Sequence, residues 1–421
     1  MKKILLLAGF IFYITSSTTF AADEIKLDTN GFIPNVVAQV NKDNPDGTIK
    51  LQTGASEDHH VDINSPDFNP ETVHKHLHVY DELARTAHDV YNLQIENTKE
   101  PACLLKEPMT HHFERGPIDN VHLWGVIQMN NATTIPENGG GNDKFSVNLI
   151  NVIIDGQFKS GKENFRLMFD PAPQHNRGFF HQLPQDVYIE SHRIKNNVIL
   201  FGNSRVGGGI EATQSPYTLP FVNRSQIARN FGNIRKFGIR LKGNYALVDY
   251  DLGGYSSDTY FSEFFPGVEF NGMVNFKPLG LTDGRWGKVR IGGGVVAGEN
   301  HGTDYVVSTG YLGYEYKKFW TRMEYANADG SNGGDGLNSK KRQGWCVTCG
   351  YHLTKKLELL ARYDEFDPDK SISSNNRREY TAGINYYIKG QALKLILNYV
   401  FCQNESAPDS HRIVVGTQIA I

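Results

Sequence analysis

Eight basic residues in the second half of the chain are the side chains best suited to chemistry. Three lie in or beside a loop rich in glycine and proline, and five lie at alternating positions of strand-like segments. They are Arg224, Arg229 and Arg235 in the loop group, and Arg240, Lys242, Lys288, Arg290 and Arg322 in the strand group. A guanidinium carries a fixed charge and a planar fork of donors, which suits phosphate or carboxylate groups. Together these residues would favour anions in a shared aqueous space. Each alone could instead pair with an acid, as Arg322 could with Glu324.

Two histidines form a second candidate set, for metal binding. His74 and His78 are four positions apart in a segment with helical periodicity, so they share one helix face. That spacing can bind Zn²⁺ or Ni²⁺. The chain lacks the glutamate of an H-E-x-x-H motif here, so a metalloprotease is not supported. Solvated histidines on a polar helix face are the alternative. No other metal site, no cofactor and no catalytic residue are predicted.

Cys346 and Cys349 form a C-x-x-C pattern, but the segment around them has the character of a strand. Residues three apart on a strand point to opposite faces. The pattern therefore predicts two separate small strand residues rather than a redox or zinc pair.

The first 21 residues have the features of a cleaved signal peptide. Lys2 and Lys3 precede an apolar core at 4–14, and Ala21 follows as a small residue at the cleavage position. No later segment approaches the ~18 consecutive apolar residues of a spanning helix. We therefore expect export from the cytoplasm without a helical membrane anchor.

Composition favours β structure. Glycine accounts for 42 of 421 residues and aromatic residues for 11%, which is typical of strands joined by many turns. The formal net charge of −3 is close to neutral and argues against a nucleic-acid binder. Roughly 400 mature residues suffice for two ordinary domains or one large barrel.

Residues 22–119 are interpreted as a periplasmic N-terminal extension. Asn69 followed by Pro70 is a good helix start, and apolar residues then recur at the helical period. This predicts one amphipathic helix at about 70–97. The helix could pack on the rest of the protein, pack on a second copy, or contact the cell wall.

From residue 120 to 421 the pattern changes to short alternating runs broken by turn residues. About sixteen such runs are present, an even number in the size class of water-filled transmembrane barrels. They lie near 121–133, 145–158, 164–171, 186–194, 197–206, 235–243, 245–255, 268–277, 287–298, 304–316, 318–327, 342–352, 356–366, 379–388, 391–402 and 411–421.

The alternation fits a barrel with lipid outside and water inside. Leu393, Leu395 and Leu397 fall on one face of a segment, whereas Lys394 and Asn398 fall on the other. A strand with one apolar and one polar face fits a position between membrane lipid and a water-filled lumen. The sequence therefore predicts an all-β transmembrane antiparallel barrel with an N-terminal helical segment.

Three long connections are predicted between these strands. Residues 327–341 and 367–378 are polar and are expected to form external loops. The longest, at about 206–234, contains two prolines, and a loop of that length is usually functional. We expect it to fold into the lumen as a constriction.

The C-terminal segments carry a family resemblance. An A-R-Y-D-x-F-D-P run lies at 361–368, a Y-T-A-G-I-N-Y-Y strand at 380–387, and a K-G-Q-A-L-K-L-I-L-N-Y run at 389–399. The segment F-V-N-R-S at 221–225 adds weaker support. With these motifs, the chain resembles the phosphate-selective porins O and P.

This resemblance implies a trimeric sixteen-stranded barrel in the outer membrane, with an infolded third loop and basic residues along the pore. Under it, Arg224 matches the loop arginine, and Arg240 and Lys242 match lumen-facing positions. The chain departs from the pattern in having no lysine between Val206 and Ile234.

The functional expectation is a passive diffusion channel for small hydrophilic solutes, with a preference for anions such as phosphate. The expected partners are outer-membrane lipid, two further copies of the chain, and the solute, with no nucleic acid. A structural tether from outer membrane to cell wall is an alternative. A barrel enzyme is another, although His352 and His411 have no obvious serine partner in the sequence.

Overall fold

The computed structural model describes residues 48–51, 59–62, 109–172, 183–206, 208–259, 261, 263–282 and 284–421. The chain divides into two compact units, Met1–Glu71 and Thr72–Ile421. In the first, β1 (Thr48–Leu51) pairs antiparallel with β2 (His59–Asp62). The predicted signal peptide at 1–21 and the predicted helix at 70–97, with His74 and His78, lie outside the described residues and stay predictions.

In the second unit, sixteen strands form a closed antiparallel barrel, as predicted. They are β4 (Ile118–Pro136), β5 (Asn142–Phe158), β6 (Glu163–Phe169), β7 (Pro184–Ser191), β8 (Asn197–Val206), β9 (Ile234–Asn244), β10 (Val248–Ser256), β11 (Val268–Phe276), β12 (Lys288–Asn300), β13 (Thr303–Tyr316), β14 (Phe319–Gly333), β15 (Gly336–His352), β16 (Leu357–Asp367), β17 (Arg377–Lys389), β18 (Leu393–Asn404) and β19 (Ser410–Ala420). A short β3 (Thr110–His112) adds to the start of β4.

The barrel closes where β19 pairs with β4. The register sets Ala420 opposite Val126 and Ile413 opposite Thr133. Beyond the last strand residue, Ile421 and Gly125 exchange two backbone hydrogen bonds of 2.7 and 2.8 Å. Closure satisfies the backbone groups that an open edge would expose.

Residue alternation sets which side of the wall each side chain occupies. On β18, Lys394, Ile396 and Asn398 are buried, whereas Leu395 and Leu397 are each 44% exposed. The exposed set faces outward and is apolar, and the buried set faces the lumen and is mixed. This matches the faces predicted from the sequence.

Two groups of outward aromatic residues lie near opposite ends of the strands. Trp345, Tyr363, Tyr380 and Phe401 follow one another across β15–β18, with neighbouring ring centroids 4.9, 5.0 and 6.0 Å apart. Phe319 and Tyr351 are paired near the other end. Tyr351 lies six positions after Trp345, roughly 20 Å along the strand at about 3.4 Å per residue. Because such strands tilt by about 35–45°, the vertical separation is about 15 Å, which lies within the apolar band of outer-membrane barrels.

The prediction of a loop at 327–341 is wrong. β14 continues to Gly333 and β15 begins at Gly336, so only two residues form the turn. The tip docks inside the barrel, because Gly333 and Gly334 approach the carbonyls of Asn230 and Arg229 too closely for any side chain to fit. The polar composition of this segment suggested a solvated loop. Its residues instead extend the hydrogen-bonded pairing of β14 with β15. The predicted loop at 367–378 is confirmed, since β16 ends at Asp367 and β17 begins at Arg377.

Cys346 and Cys349 lie on opposite sides of the wall, as predicted. Cys346 is 2% exposed and packs inside, whereas Cys349 is half-buried, and both are free thiols. Within the described ranges, no helix has the length and apolar character needed to cross a membrane.

We predict that an arginine on the outward face between the aromatic groups destabilises the barrel. Ile384 is 42% exposed on β17, between Tyr380 and Tyr386. Ile384→Arg should cost about 2–4 kcal/mol, because a charge near the bilayer midplane is poorly solvated. Ile388→Arg, at the strand end, should cost at most ~1 kcal/mol. Urea titration in lipid vesicles, followed by the mobility of unheated protein in gels, measures both. Equal penalties would contradict the outward assignment.

Candidate constriction of the lumen

The connection between β8 and β9, residues 208–233, lies inside the barrel and is called the inner loop here. It contains α1 (Ile210–Thr213), a 3₁₀ turn (Pro216–Thr218) and α2 (Gln226–Phe231). Pro216 starts the 3₁₀ turn, and the Ser225 hydroxyl caps α2 by accepting from the Ala228 N–H. It is the third connection on its side of the barrel.

Apolar side chains anchor the inner loop to the inner face of the wall. Phe221 packs in one cluster with Trp320 and Leu360. Ile227 and Phe231 pack in another, which includes Phe366 at a centroid distance of 5.6 Å from Phe231. The remaining anchors are Ile210 against Met273 and Tyr311, and Tyr217 against Trp124. A loop surrounded by lumen water would not bury these side chains.

Two wall carboxylates bind the first N–H groups of the short helices. Glu324 accepts from the backbone N–H groups of Ile210 and Glu211, at 3.1 and 3.0 Å. Asp364 accepts from the N–H of Gln226 at 2.7 Å. Helix starts carry N–H groups with no partner in their own helix, so these carboxylates satisfy donors that burial would otherwise leave unpaired.

A buried lysine binds the middle of the inner loop. The Lys394 ammonium donates to the carbonyls of Tyr217 and Leu219, at 3.2 and 3.0 Å, and to Gln391 Oε1 at 2.8 Å. Two asparagine side chains bind the next part of the inner loop. Asn385 of β17 donates to the Pro220 carbonyl, and Asn398 of β18 accepts from the Val222 N–H. Backbone carbonyl and N–H groups of the inner loop are thus hydrogen-bonded to side chains of the barrel wall.

Glu211 is the acid of the inner loop, and it faces wall arginines. It lies 3.4 Å from Arg362 Nη1 and 3.9 Å from Arg322 Nη2, and it accepts from the Ser225 N–H at 3.0 Å. Burial opposes its ionisation, but the Arg362 and Arg322 guanidiniums outweigh burial and lower the pKa of the Glu211 carboxyl. The charged carboxylate therefore persists at neutral pH and holds the inner loop to β14 and β16.

On its other side, toward β4–β9, the inner loop borders a cavity that is called the passage here. This passage has a volume of about 450 Å³. Its charged lining residues among the described ones are four arginines, Arg205, Arg224, Arg229 and Arg235, and one acid, Asp170. The structure therefore brings three of the eight predicted basic residues together at one opening.

Each arginine of the passage has protein contacts that fix its position. Arg229 lies 2.9 Å from Glu379, and Arg235 lies 2.6 Å from Asp186. Arg224 donates to the carbonyls of Glu211 and Gln214. Arg205 donates to Asn233 Oδ1 at 2.5 Å. The four guanidiniums are thus held in place by protein contacts.

The other five predicted residues face the lumen but lie away from the passage. Arg240 pairs with Asp251, and Arg290 lies 3.4 Å from Asp249. In the strand register, Lys242 is opposite Asp251 and Lys288 is opposite Glu315. Arg322 donates to Gln214 Oε1 at 2.9 Å. The acid paired with Arg322 is Glu211 of the inner loop, at 3.9 Å. The sequence suggested Glu324, which instead accepts from backbone N–H groups of α1.

Arg205 was not among the predicted residues. Ile199 and Phe201 are exposed on the outer face, and continued alternation would place Arg205 there too. Gly202 has a φ of 133°, and Gly202, Asn203 and Ser204 are all buried in succession. The alternation of burial therefore breaks at Gly202, although β8 and β9 stay paired without a register shift. A glycine in a strand interior is the only sequence signal for such an interruption.

The chain is similar to known proteins in part of its sequence and in its fold. Residues 287–420 match the family of phosphate-selective porins O and P, which confirms the resemblance predicted from the C-terminal strands. The inner loop lies outside the matched residues. No curated protein sequence matches the chain.

Several solved barrels share the fold. An anion-selective porin from Comamonas acidovorans has a TM-score of 0.54 at 13% identity, covering 72% of this chain and 99% of that one. The outer-membrane channel DcaP of Acinetobacter baumannii has a TM-score of 0.54 at 10% identity, covering 74% and 99%. Salmonella typhi OmpF, in complex with daunomycin, has a TM-score of 0.53 at 12% identity, covering 72% and 98%. Identities this low show the shared fold alone.

We predict that Lys394→Met loosens the inner loop. The carbonyls of Tyr217 and Leu219 would lose their buried donor, at about 1–3 kcal/mol for each unsatisfied group. Trypsin should then cut after Arg224 or Arg229 faster than in the unaltered protein, and open-channel current noise should rise. Lys389→Met is the matched control, since Lys389 is exposed at the nearby turn. Equal cleavage rates in both variants would contradict the anchoring role.

Proposed function

We propose that the protein is a passive diffusion channel of the outer membrane that favours small anions. The family match at 287–420 and the closed sixteen-strand barrel support the channel. The observation that carries the anion preference is the passage beside the inner loop, where four arginines and one aspartate line the opening. A solute crossing the barrel on this side passes these side chains.

Charge at a narrow opening selects ions because field lines concentrate where the surrounding walls have a low dielectric constant. Fixed guanidiniums raise the local anion concentration and lower that of cations. Asp186 pairs with Arg235 and Glu379 pairs with Arg229, and these two carboxylates offset part of the positive charge. We therefore expect a moderate preference for anions, with solutes leaving as readily as they enter.

The remaining basic residues contribute a weaker field along the wall. Arg240 and Arg290 have acid partners at Asp251 and Asp249. Lys242, Lys288 and Arg322 also face the lumen, near acids of their own strands or neighbours. These five residues are proposed to line the approach to the passage, with Arg224, Arg229 and Arg235 at the passage itself.

The proposal extends to assembly and location. We propose a homotrimer in outer-membrane lipid, reached through cleavage of the signal peptide at 1–21. The apolar outer face and its aromatic groups support a lipid environment. Three copies would give three parallel passages, since each inner loop lies within its own barrel.

The alternative functions have less support. Of the two histidines considered for a barrel enzyme, His352 lies 3.1 Å from Glu358 and His411 lies 2.7 Å from the Tyr399 hydroxyl, so their contacts are structural. That the protein is not an enzyme stays a prediction. The tether depends on the predicted helix at 70–97, outside the described residues, and it too stays a prediction.

We predict that Arg205→Gln lowers the anion preference. Removing one charge about 8 Å from the ion path, at the dielectric constant of water, changes the local anion concentration about twofold. In planar bilayers, the reversal potential under a KCl gradient should move toward zero. Arg285→Gln is the matched control, since Arg285 is exposed on a turn away from the passage. Cation preference in the unaltered protein would contradict the proposal, and so would an unchanged reversal potential in Arg205→Gln.

A further inference from the structure

We infer that the periplasmic rim of the barrel binds the headgroups of anionic phospholipids in the inner leaflet of the outer membrane. This inference rests on the outer-membrane location proposed above and adds a lipid partner. Its basis is a group of exposed basic side chains on the short turns, which lie beside outward aromatic and apolar residues.

The end of the barrel with the short turns is the periplasmic end. From β5 to β18, the connections at this end have two to five residues each, apart from the one at 277–287. The opposite end carries the inner loop and the connections at 257–267 and 368–376. In outer-membrane barrels the short turns face the periplasm and the long loops face the exterior. The turns therefore lie at the level of the inner-leaflet headgroups.

Exposed basic side chains are concentrated on the turns between β11 and β18. These residues are called the basic rim here: Arg285, Lys317, Lys318, Lys355, Lys356 and Lys389. Among the described residues of these turns there is no acidic side chain, and Glu315 and Glu358 on the adjoining strands are buried inside the barrel. The sequence adds one acid, Asp283, which lies outside the described residues. The basic rim keeps a positive excess with that acid counted.

Two contacts place cations of the basic rim on the lipid-facing side. The Arg285 Cζ lies 5.5 Å from the centroid of the Trp286 ring, and the Lys317 Nζ lies 4.9 Å from that of Tyr316. Trp286 is 62% exposed, and its carbonyl accepts from the Tyr314 hydroxyl at 3.3 Å. Tyr314 and Tyr316 lie on the outward face of β13, because the residue between them is buried. Attraction to the ring faces thus holds these cations above outward aromatic residues.

Each segment of the basic rim also carries an exposed apolar side chain. These neighbours are Trp286, Phe319, Leu353 and Ile388. Apolar side chains at the acyl boundary, with cations just beyond them, are the arrangement of segments that bind membrane interfaces. Lysine and arginine can cover apolar surface with their stems and keep the charged group at the headgroup level. The basic rim therefore matches the two chemical layers of a phospholipid leaflet.

The basic residues at the opposite end of the barrel lie among acids. Four that are exposed there are Lys340, Lys341, Lys370 and Arg377. The Lys341 ammonium lies 3.5 Å from Asp329, and the Lys340 ammonium lies 3.1 Å from Asp369. Carboxylates thus offset cations at this end, whereas the described residues of the basic-rim turns supply none. The asymmetry assigns the anionic partner to the inner leaflet rather than to the outer one.

A layer of headgroups suits the basic rim better than a single small anion does. A small anion contacts one or two flexible side chains, and salt screens the others beyond about 8 Å. A leaflet presents many phosphates at once, and each lysine or arginine near an anionic surface strengthens binding about fivefold. Phosphate oxygens accept charge-assisted hydrogen bonds from ammonium and guanidinium groups.

The test measures which lipids stay with the complete protein. The protein is inserted into vesicles of equal parts phosphatidylglycerol and phosphatidylcholine and extracted in mild detergent, and the retained lipids are counted by native mass spectrometry. We expect phosphatidylglycerol to be retained about fivefold over phosphatidylcholine. The excess should fall when the extraction is done in ~0.5 M KCl, because salt screens exposed charges.

Two matched variants assign the effect to the basic rim. The rim variant carries Lys317→Gln, Lys318→Gln, Lys355→Gln and Lys356→Gln, and it should lose most of the excess. The control variant carries Lys340→Gln, Lys341→Gln, Lys370→Gln and Arg377→Gln at the opposite end, and it should keep the excess. If the rim variant fails to form a heat-modifiable barrel, lipid retention by the unaltered protein at low and high salt decides alone.

The outcomes separate this inference from the channel proposal. Equal retention of both lipids by the unaltered protein, or equal losses in the two variants, would overturn the lipid inference, while discrete current steps leave the channel standing. A shifted reversal potential in the rim variant with an unchanged lipid ratio would assign the basic rim to solute entry and overturn the inference too. Failure to form a heat-modifiable barrel in any vesicle would overturn the membrane location and the inference with it.

Discussion

The structure depends on one constraint: a long loop inside the barrel must find partners for its backbone polar groups. Buried N–H and C=O groups without partners cost about 1–3 kcal/mol each, so connections usually run over the surface. Here the wall supplies the partners. Glu324 and Asp364 accept from the starts of the short helices, and Lys394 donates to the carbonyls of the 3₁₀ turn. Without these inward side chains, the inner loop would be solvated outside the lumen.

This anchoring also divides the charges of the lumen. Carboxylates of β14, β16 and β17 bind backbone donors and arginines on the side where the inner loop is docked. On the open side, between the inner loop and β4–β9, arginines and carboxamides predominate. An interior with many acids in its sequence can therefore present a basic opening, because three of those acids hold the loop and others pair with basic residues of the wall, as Glu269 does with Lys236 and Asp251 with Arg240.

The strand wall makes this arrangement possible because alternation fixes the direction of each side chain. Lys394 and Asn398 reach the inner loop only because Leu395 and Leu397 face outward on the same strand. A register shift of one residue would exchange the inward-facing and outward-facing side chains of the strand. The apolar outer face and the polar anchoring face are thus consequences of a single register, and the membrane environment reinforces that register.

The sequence by itself determined the sixteen strands, their faces and the position of the long connection, since these depend on local alternation and turn residues. Only the tertiary structure decided three other features. Residues 327–341 extend a hairpin whose tip docks on α2, Arg205 lines the passage beside Asn233, and Arg322 contacts Gln214 of the inner loop. Each depends on contacts between residues about 30 to more than 100 positions apart. Local periodicity carries no information on such contacts, because they exist only once the barrel closes around the loop.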